Sequence, residues 1–581
     1  VNNMTFIATL RPLLLSLGAS LLLLAWLAAC TMPGAATPTS LPDPPAAPTE
    51  VLPPTPTPLP RGGELTIRLA AAVPALRPWQ PRSRDEEQLA ALLYSGLLRL
   101  DSQLRPVPDL AERWTTDADG RVLTFTLRSD LTWHDGEPLT AADVLFTLER
   151  LRNLPVTTTA LLADLRYISA ATAPAADTVV MTLTSRFAPI LATMALPILP
   201  RHQLLDQDFA RFNTWETPVG SGPFQLASDA PSRTLVLERF ERYHHGAPLL
   251  EKITFQVLAD PAATLDHLSD QRLLLAELPW SPTLTPPAGV RASAYPENGY
   301  YFVGFNLREG RPFADLRLRQ ALALALDIPR LVESATKGQG LTFGSTALPG
   351  SWADLTPPRA TPVNLEAART LLDEAGWILP DGATIRQRDG TTLTVSLYVR
   401  EDDERRLLAA RQIAAAAATI GMAIEVETGS FDEVIRARYA PPFAFDLLMG
   451  GWINGAGDPG FGDVTFYDPD DFALFHSSQL NQGDADTRAT RNVVGYRNPA
   501  YDANAEAARQ LYNLDQRSAA LRQTQAIIAD DLPYLFLWVD RMPVMLNEAI
   551  TTLDGPIDLS SPRYYWNIER WYLLNAETQR R

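Results

Sequence analysis

LTVSLYV (residues 393–399), ERRLLAARQIAAAAATI (404–420) and MAIEVET (422–428) follow one another with little intervening chain and read as strand, helix and strand. Gly421 closes the helix between them. A short helix near Phe431 to Tyr439 then leads to a further apolar run, AFDLLMG (444–450), which completes a β-α-β-α-β order. Such a unit predicts a parallel sheet with right-handed crossovers, with ligands bound beyond the carboxyl ends of its strands. Gly450-Gly451-Trp452-Ile453-Asn454-Gly455 lies at that edge. Its glycines permit close backbone approach to a ligand, and Trp452 offers a broad apolar face with one donor. The fold class read from this stretch is α/β.

Upstream, the pattern ELTIRLA starting at Glu64 alternates as a half-buried strand requires and marks the start of the folded part. A helix is expected around Glu86 to Leu98. Asp117-Ala-Asp-Gly120 turns the chain into RVLTFTLR, where Leu123, Phe125 and Leu127 share one face of an antiparallel strand. Thr140-Ala-Ala-Asp143 has capping-box form, and Val144, Leu148 and Leu151 recur on one face of the helix that starts there.

With 581 residues, 46% of them hydrophobic, the chain exceeds what one core serves and predicts several packed subdomains. A net charge of -17 and a pI near 4.9, without a basic stripe, argue against nucleic acid as a partner. One cysteine excludes an internal disulfide and a Cys-rich metal site. That cysteine ends the charge-free stretch PLLLSLGASLLLLAWLAAC (12–30), which reads as a secretory signal or, alternatively, as an uncleaved membrane span. Leu27-Ala28-Ala29-Cys30 resembles the bacterial lipobox, which implies a lipidated Cys30 as the first mature residue. Either reading puts the remainder outside the cytoplasm. Residues 31–60 contain 11 prolines and almost no large side chain, the composition of an extended stalk.

Several ordered segments resemble the extracellular solute-binding proteins of ABC transporters that include the oligopeptide-, dipeptide- and nickel-binding proteins. The resemblance runs over most of residues 61–572. It is carried by Arg61-Gly62-Gly63-Glu64-Leu65, by Leu110-Ala111-Glu112-Arg113-Trp114, by Trp133-His134-Asp135-Gly136 and by Pro218-Val219-Gly220-Ser221-Gly222-Pro223-Phe224. Arg317-Leu318-Arg319-Gln320-Ala321-Leu322, Glu374-Ala375-Gly376-Trp377, Gly495-Tyr496-Arg497-Asn498-Pro499 and Asp530-Asp531-Leu532-Pro533 continue it. Each motif is weak alone; their order gives the specificity.

The resemblance implies a two-lobed periplasmic-binding-protein-like fold of type II, in the large peptide-binding class, with an extra subdomain on the first lobe. The expected organisation is signal peptide 1–29, stalk 30–60, first-lobe segments 61–97 and 215–299, extra subdomain 98–214, second lobe 300–533 and a first-lobe return over 534–581. It further implies a monomer without cofactor or catalysis, anchored through Cys30 on the outer face of the cytoplasmic membrane. Such a protein captures a peptide or similar solute between its lobes and passes it to ABC permease subunits, or, alternatively, senses it without transport.

By the same resemblance Trp79 and Tyr94 face the cleft from the first lobe, and GWINGAGDPG (451–460) faces it from the second, with Trp452, Asn454, Gly455 and Asp458 as contacts. In peptide-binding members an acidic residue before Asp-Pro pairs with the ligand ammonium; here that place holds Gly455 or Ala456. A buried ammonium then needs another carboxylate. His134 reads as a structural hydrogen-bonding residue. His244 and His245 are adjacent, so on a strand they would point to opposite faces, with no nearby set to complete a metal site. Asp463, Asp468, Asp470 and Asp471 read as a solvated surface. Ser334-Ala-Thr-Lys337 matches the S-x-x-K pattern of serine acyl-enzymes, an alternative without the partner motifs that chemistry uses.

Overall fold

The computed structural model describes residues 61–574 apart from 155–159, 210, 228–233, 355–361, 454–467 and 484–489. The stretch that opened the sequence reading folds as that reading expects. Strand Thr394–Arg400 pairs in parallel with Ala423–Gly429 on one side and with Leu447–Ile453 on the other. Helix Glu404–Ala418 connects the first two and buries Ala409, Ala410, Ile413 and Ala417. Three alanines on that face let the helix axis approach the sheet closely. Asp403 caps its start, accepting the amide N–H of Arg405. Gly421 has a φ of +80°, and a Cβ there would lie 2.9 Å from Arg386 Cγ. The expected helix near Phe431 to Tyr439 is instead a π-helical turn, Phe431–Ile435, followed by a 3-10 turn, Arg436–Tyr439.

This unit is one end of a twelve-stranded sheet. Leu447–Ile453 pairs antiparallel with Gly299–Phe305, whose seven residues are all buried. That strand pairs with the first part of a 14-residue strand, Tyr534–Asn547. Asp540 still pairs with Gly340 in the second lobe, whereas Arg541 pairs with Pro296 in the first. Beyond that switch the long strand runs along Val290–Pro296 and Leu275–Glu277. From there the sheet continues through Glu64–Leu69, Lys252–Val257, Thr234–Arg239 and Phe224–Leu226. Two chain segments, 296–299 and 540–541, therefore carry one sheet from lobe to lobe, the arrangement of a two-lobed hinge.

A separate four-stranded antiparallel sheet, Ala111–Thr116, Val122–Leu127, Thr178–Leu183 and Ile168–Ala175, packs in the first lobe's core. Beside it lies helix Ala141–Arg152, which begins at Thr140 with a complete capping box closed by Asp143. The helix expected over Glu86 to Leu98 runs from Arg84 to Leu93, capped by Ser83. It stops early because neighbouring chain takes its carbonyls: Leu93 accepts from Gly222, Ser95 from Ile198 and Gly96 from Leu110. Among the described residues no helix is long and apolar enough to cross a membrane. Cys30, the signal-like stretch and the Pro-rich segment lie outside the described residues.

Candidate ligand-binding cleft

A cavity of about 710 Å³ opens where the two half-sheets meet, lined from the first lobe, the second lobe and the crossing segments. Its walls come from the carboxyl ends of two parallel strands. Glu64–Leu69 delivers Arg68 and Ala70, and Thr394–Arg400 delivers Arg400, Asp402 and Asp403, with Arg405 and Arg406 on the first turn of the helix that follows. The carboxyl edge of the first strand of the β-α-β unit thus lines the cavity, while the segment after the third strand, residues 454–467, lies outside the described residues.

Among the described residues the lining carries six arginines, Arg68, Arg84, Arg400, Arg405, Arg406 and Arg541, and six carboxylates, Asp85, Glu277, Glu297, Asp402, Asp403 and Asp540. On the second-lobe side, Arg405 donates to Asp540 at 2.8 Å, to Gln339 at 3.0 Å, to Asp403 at 3.1 Å and to the Tyr301 hydroxyl at 3.2 Å. Burial costs the guanidinium hydration, and Asp540, Tyr301 and Asp403 together more than restore its preference for the charged form, so its pKa rises. Tyr301 stacks on Trp538 with ring centroids 4.6 Å apart and lies under both Arg405 and Arg406. On the first-lobe side, Arg84 pairs with Glu297 of the crossing segment.

Arg68, Asp85, Glu277 and Arg541 bond instead to backbone or neutral groups: Asp85 accepts the Ala70 amide at 2.8 Å and Arg541 donates to the Gly340 carbonyl at 3.4 Å. Arg68 donates to backbone carbonyls, Leu258 at 2.8 Å and Glu277 at 2.7 Å. The half-buried Glu277 carboxylate accepts from neutral donors, Gln88 at 2.8 Å and the Tyr564 hydroxyl at 3.0 Å. Loss of water around it raises its pKa to about 7, against the lowering effect of Arg84. A carboxylate so placed gains a full charge, and loses its desolvation penalty, when a cationic group arrives beside it. Trp280 at the rim donates from Nε1 to the Lys337 carbonyl at 3.1 Å, bridging the lobes.

Of the residues singled out from sequence, Trp79, Tyr94 and Trp452 sit elsewhere. Trp79 is 3% exposed and packs on Phe209 and Phe212 in the first core. Tyr94 is 4% exposed and its hydroxyl donates to Thr214 Oγ1 at 3.2 Å. Trp452 is 2% exposed, stacks on Phe302 and donates to the Tyr534 hydroxyl at 3.2 Å. None of the three lines the cavity: the apolar area that suggested a ligand platform is spent on the cores. Asn454, Gly455 and Asp458 lie outside the described residues. What sequence reading missed is Arg68, Glu277, Arg405, Arg406 and Asp540. The rule that selects strand carboxyl ends, applied to 64–70 and 393–400, would have found Arg68, Arg405 and Arg406; Glu277 and Asp540 lie on strands without such a signal.

The remaining motifs also resolve. His134 Nδ1 accepts the Gly220 N–H at 3.2 Å and Nε2 donates to the Gly222 carbonyl at 3.1 Å, with burial lowering its pKa to about 4. Of the acidic string, Asp463 lies outside the described residues, and the others are not a solvated face: Asp468 pairs with Arg517, Asp470 with Arg509, and Asp471 is buried against Tyr501 and Thr346. The Ser334 hydroxyl lies between the Leu331 carbonyl and the Gln412 amide, and Lys337 stands past the helix end in a left-handed conformation.

A two-lobed protein with a charged cavity at its hinge defines the class of solute-binding proteins. Residues 105–473 match the model for bacterial extracellular solute-binding proteins, family 5, and the chain belongs to that family. It is similar to protein XP55 of Streptomyces lividans, 32% identical over 480 residues that cover 81% of this chain and 83% of the relative. It is also similar to the oligopeptide-binding protein AppA of Bacillus subtilis, 26% identical over 502 residues, covering 83% and 86%. The solved structure of that AppA with a nonapeptide superposes with a TM-score of 0.61 at 23% identity, over 88% of this chain and 99% of that one.

Proposed function

We propose that the protein is the solute-binding component of an ABC importer that captures a peptide or a similar zwitterionic solute between its lobes. The observation that carries this reading is the set of six guanidinium groups and six carboxylates that the described residues place around one interlobe cavity. Such a lining suits a solute with both charges and disfavours an apolar one. Where the resemblance to peptide-binding members implies an acidic residue before Asp-Pro, this chain has Gly455 or Ala456. Glu277 is the carboxylate we assign to the solute ammonium in its stead, and Arg68, which reaches the cavity from the end of strand Glu64–Leu69, is the cation we assign to an anionic end.

The name of the oligopeptide-binding relative supports a peptide as the first candidate. The lipobox-like Leu27-Ala28-Ala29-Cys30 supports a lipid anchor on the outer face of the membrane, and the Pro-rich segment after it supports a stalk. We take the working unit to be a monomer that docks on permease subunits when closed. Scanning fluorimetry of residues 61–581 against a library of short peptides tests the reading. A peptide that binds only the native state at about a hundredfold above its Kd adds about 2.7 kcal/mol of stability and a clear rise in Tm. A library of varied length and charge that leaves Tm unchanged overturns it.

A further inference from the structure

His244 and His245 do not sit on a strand. They occupy a tight turn after strand Thr234–Arg239, in which Tyr243 donates to the Phe240 carbonyl and Gly246, with φ near +94°, donates to that of Tyr243. The turn brings both rings to the same side, centroids 4.7 Å apart, although the residues are neighbours in sequence. Facing them is Asp109, contributed from 135 residues away and 4% exposed. Its Oδ1 lies 2.7 Å from His244 Nε2 and 3.2 Å from His245 Nε2, while Oδ2 accepts the Gly96 amide at 3.2 Å. One ligating atom from each residue falls within 4.8 Å of the others.

We propose that Asp109, His244 and His245 form a three-ligand site for a divalent transition-metal ion of the zinc type, with water as the fourth ligand. Two imidazoles and one carboxylate are a donor set that borderline cations prefer over magnesium or calcium. Four-coordinate zinc with bonds of about 2.0–2.1 Å needs its donor atoms about 3.3 Å apart, so the His244 contact to Asp109 opens by about 0.6 Å and the His245 contact by about 0.1 Å to admit the ion. The Gly96 amide fixes the carboxylate from behind, the outer support that such ligands use. The neighbouring Arg99 is neutralised by Glu569, at 3.2 Å, and covered by Trp566. The His245 side chain is 16% exposed, which leaves an approach for the ion and its water. None of the three residues lines the interlobe cavity, so the ion is a structural clamp on the first lobe and not the captured solute.

The test is a Co2+ titration of the chelator-treated protein, purified without a polyhistidine tag and followed by visible absorption. One equivalent of Co2+ should give a saturable ligand-field band that Zn2+ abolishes, and Zn2+ should raise Tm. His245→Gln and His244→Gln should each weaken Co2+ binding by more than the about tenfold that loss of an outer-shell partner costs. Circular dichroism and the metal-free Tm report whether each variant remains folded, and His245→Gln, at the more exposed position, is the safer of the two. The absence of a saturable band overturns the site, leaving the cluster as hydrogen bonds alone. A band unchanged in both histidine variants overturns it too, because the ion is then held elsewhere.

Discussion

Glu277 faces the cleft with only neutral donors, Gln88 and Tyr564, and with its pKa raised to about 7. If it receives a solute ammonium, binding must tighten as pH rises through 7, because the carboxylate there gains its charge. Binding should weaken below pH 7 as the proton returns. Glu277→Gln should weaken affinity at pH 8 and flatten the pH profile, measured by titration calorimetry between pH 5.5 and 8.5. A profile identical to the parent's removes Glu277 from the site. His134 gives a second prediction, on stability. Its folded pKa, near 4, lies below the unfolded value of 6.5, so its contribution is present above pH 6.5 and is lost as pH falls from 6.5 towards 4. The span is up to about 3 kcal/mol. Urea unfolding of His134→Gln, which keeps a donor and an acceptor, should show the gap to the parent shifting in the variant's favour by an amount of that order between pH 7 and 4. Single residues were the least legible level in the sequence. His244 and His245 were visible as a pair, but Asp109 reaches them only through the tertiary fold.

At the scale of elements, periodicity served well where a helix or strand buries one regular face. The β-α-β unit of residues 394–453 and the Thr140 cap follow from patterns local to a few turns, and both are found in place. It failed where a partner distant in sequence decides the outcome. Trp452 ends a strand among glycines, which reads equally as a ligand platform or as core; Phe302 and Tyr534, 150 and 82 residues away, make it core. Trp452→Ala should therefore cost about 3–5 kcal/mol of stability, read from chemical denaturation. A variant as stable as the parent that binds solute less tightly would restore Trp452 to the cleft. The helix after Ser83 shows the same limit. Its apolar pattern continues to Leu98, but backbone donors from Gly222, Ile198 and Leu110 claim the carbonyls that a longer helix would use.

At the scale of the molecule, strands Val290–Pro296, Gly299–Phe305 and Tyr534–Asn547 join the two half-sheets at residues 296–299 and 540–541, the positions about which closure should rotate them. A solute that contacts Glu277 in one lobe and the Arg405–Asp540 cluster at the other supplies the differential affinity that closure requires. Trp280 reaches across to the Lys337 carbonyl and should help hold the closed state. Trp280→Phe keeps the ring and loses that bond, so affinity should fall by about fivefold for a hydrogen bond worth about 1 kcal/mol. Equal affinities by calorimetry would remove the bridge from closure.

A zwitterionic solute between the lobes is the state on which the proposed function rests. Native mass spectrometry of the protein freshly purified from its own host tests this most directly. The account predicts a one-to-one complex with a small solute bearing an ammonium group, retained by the parent and lost in Glu277→Lys. Parent protein that is bare, and that no peptide added from a broad library shifts in mass, would contradict it.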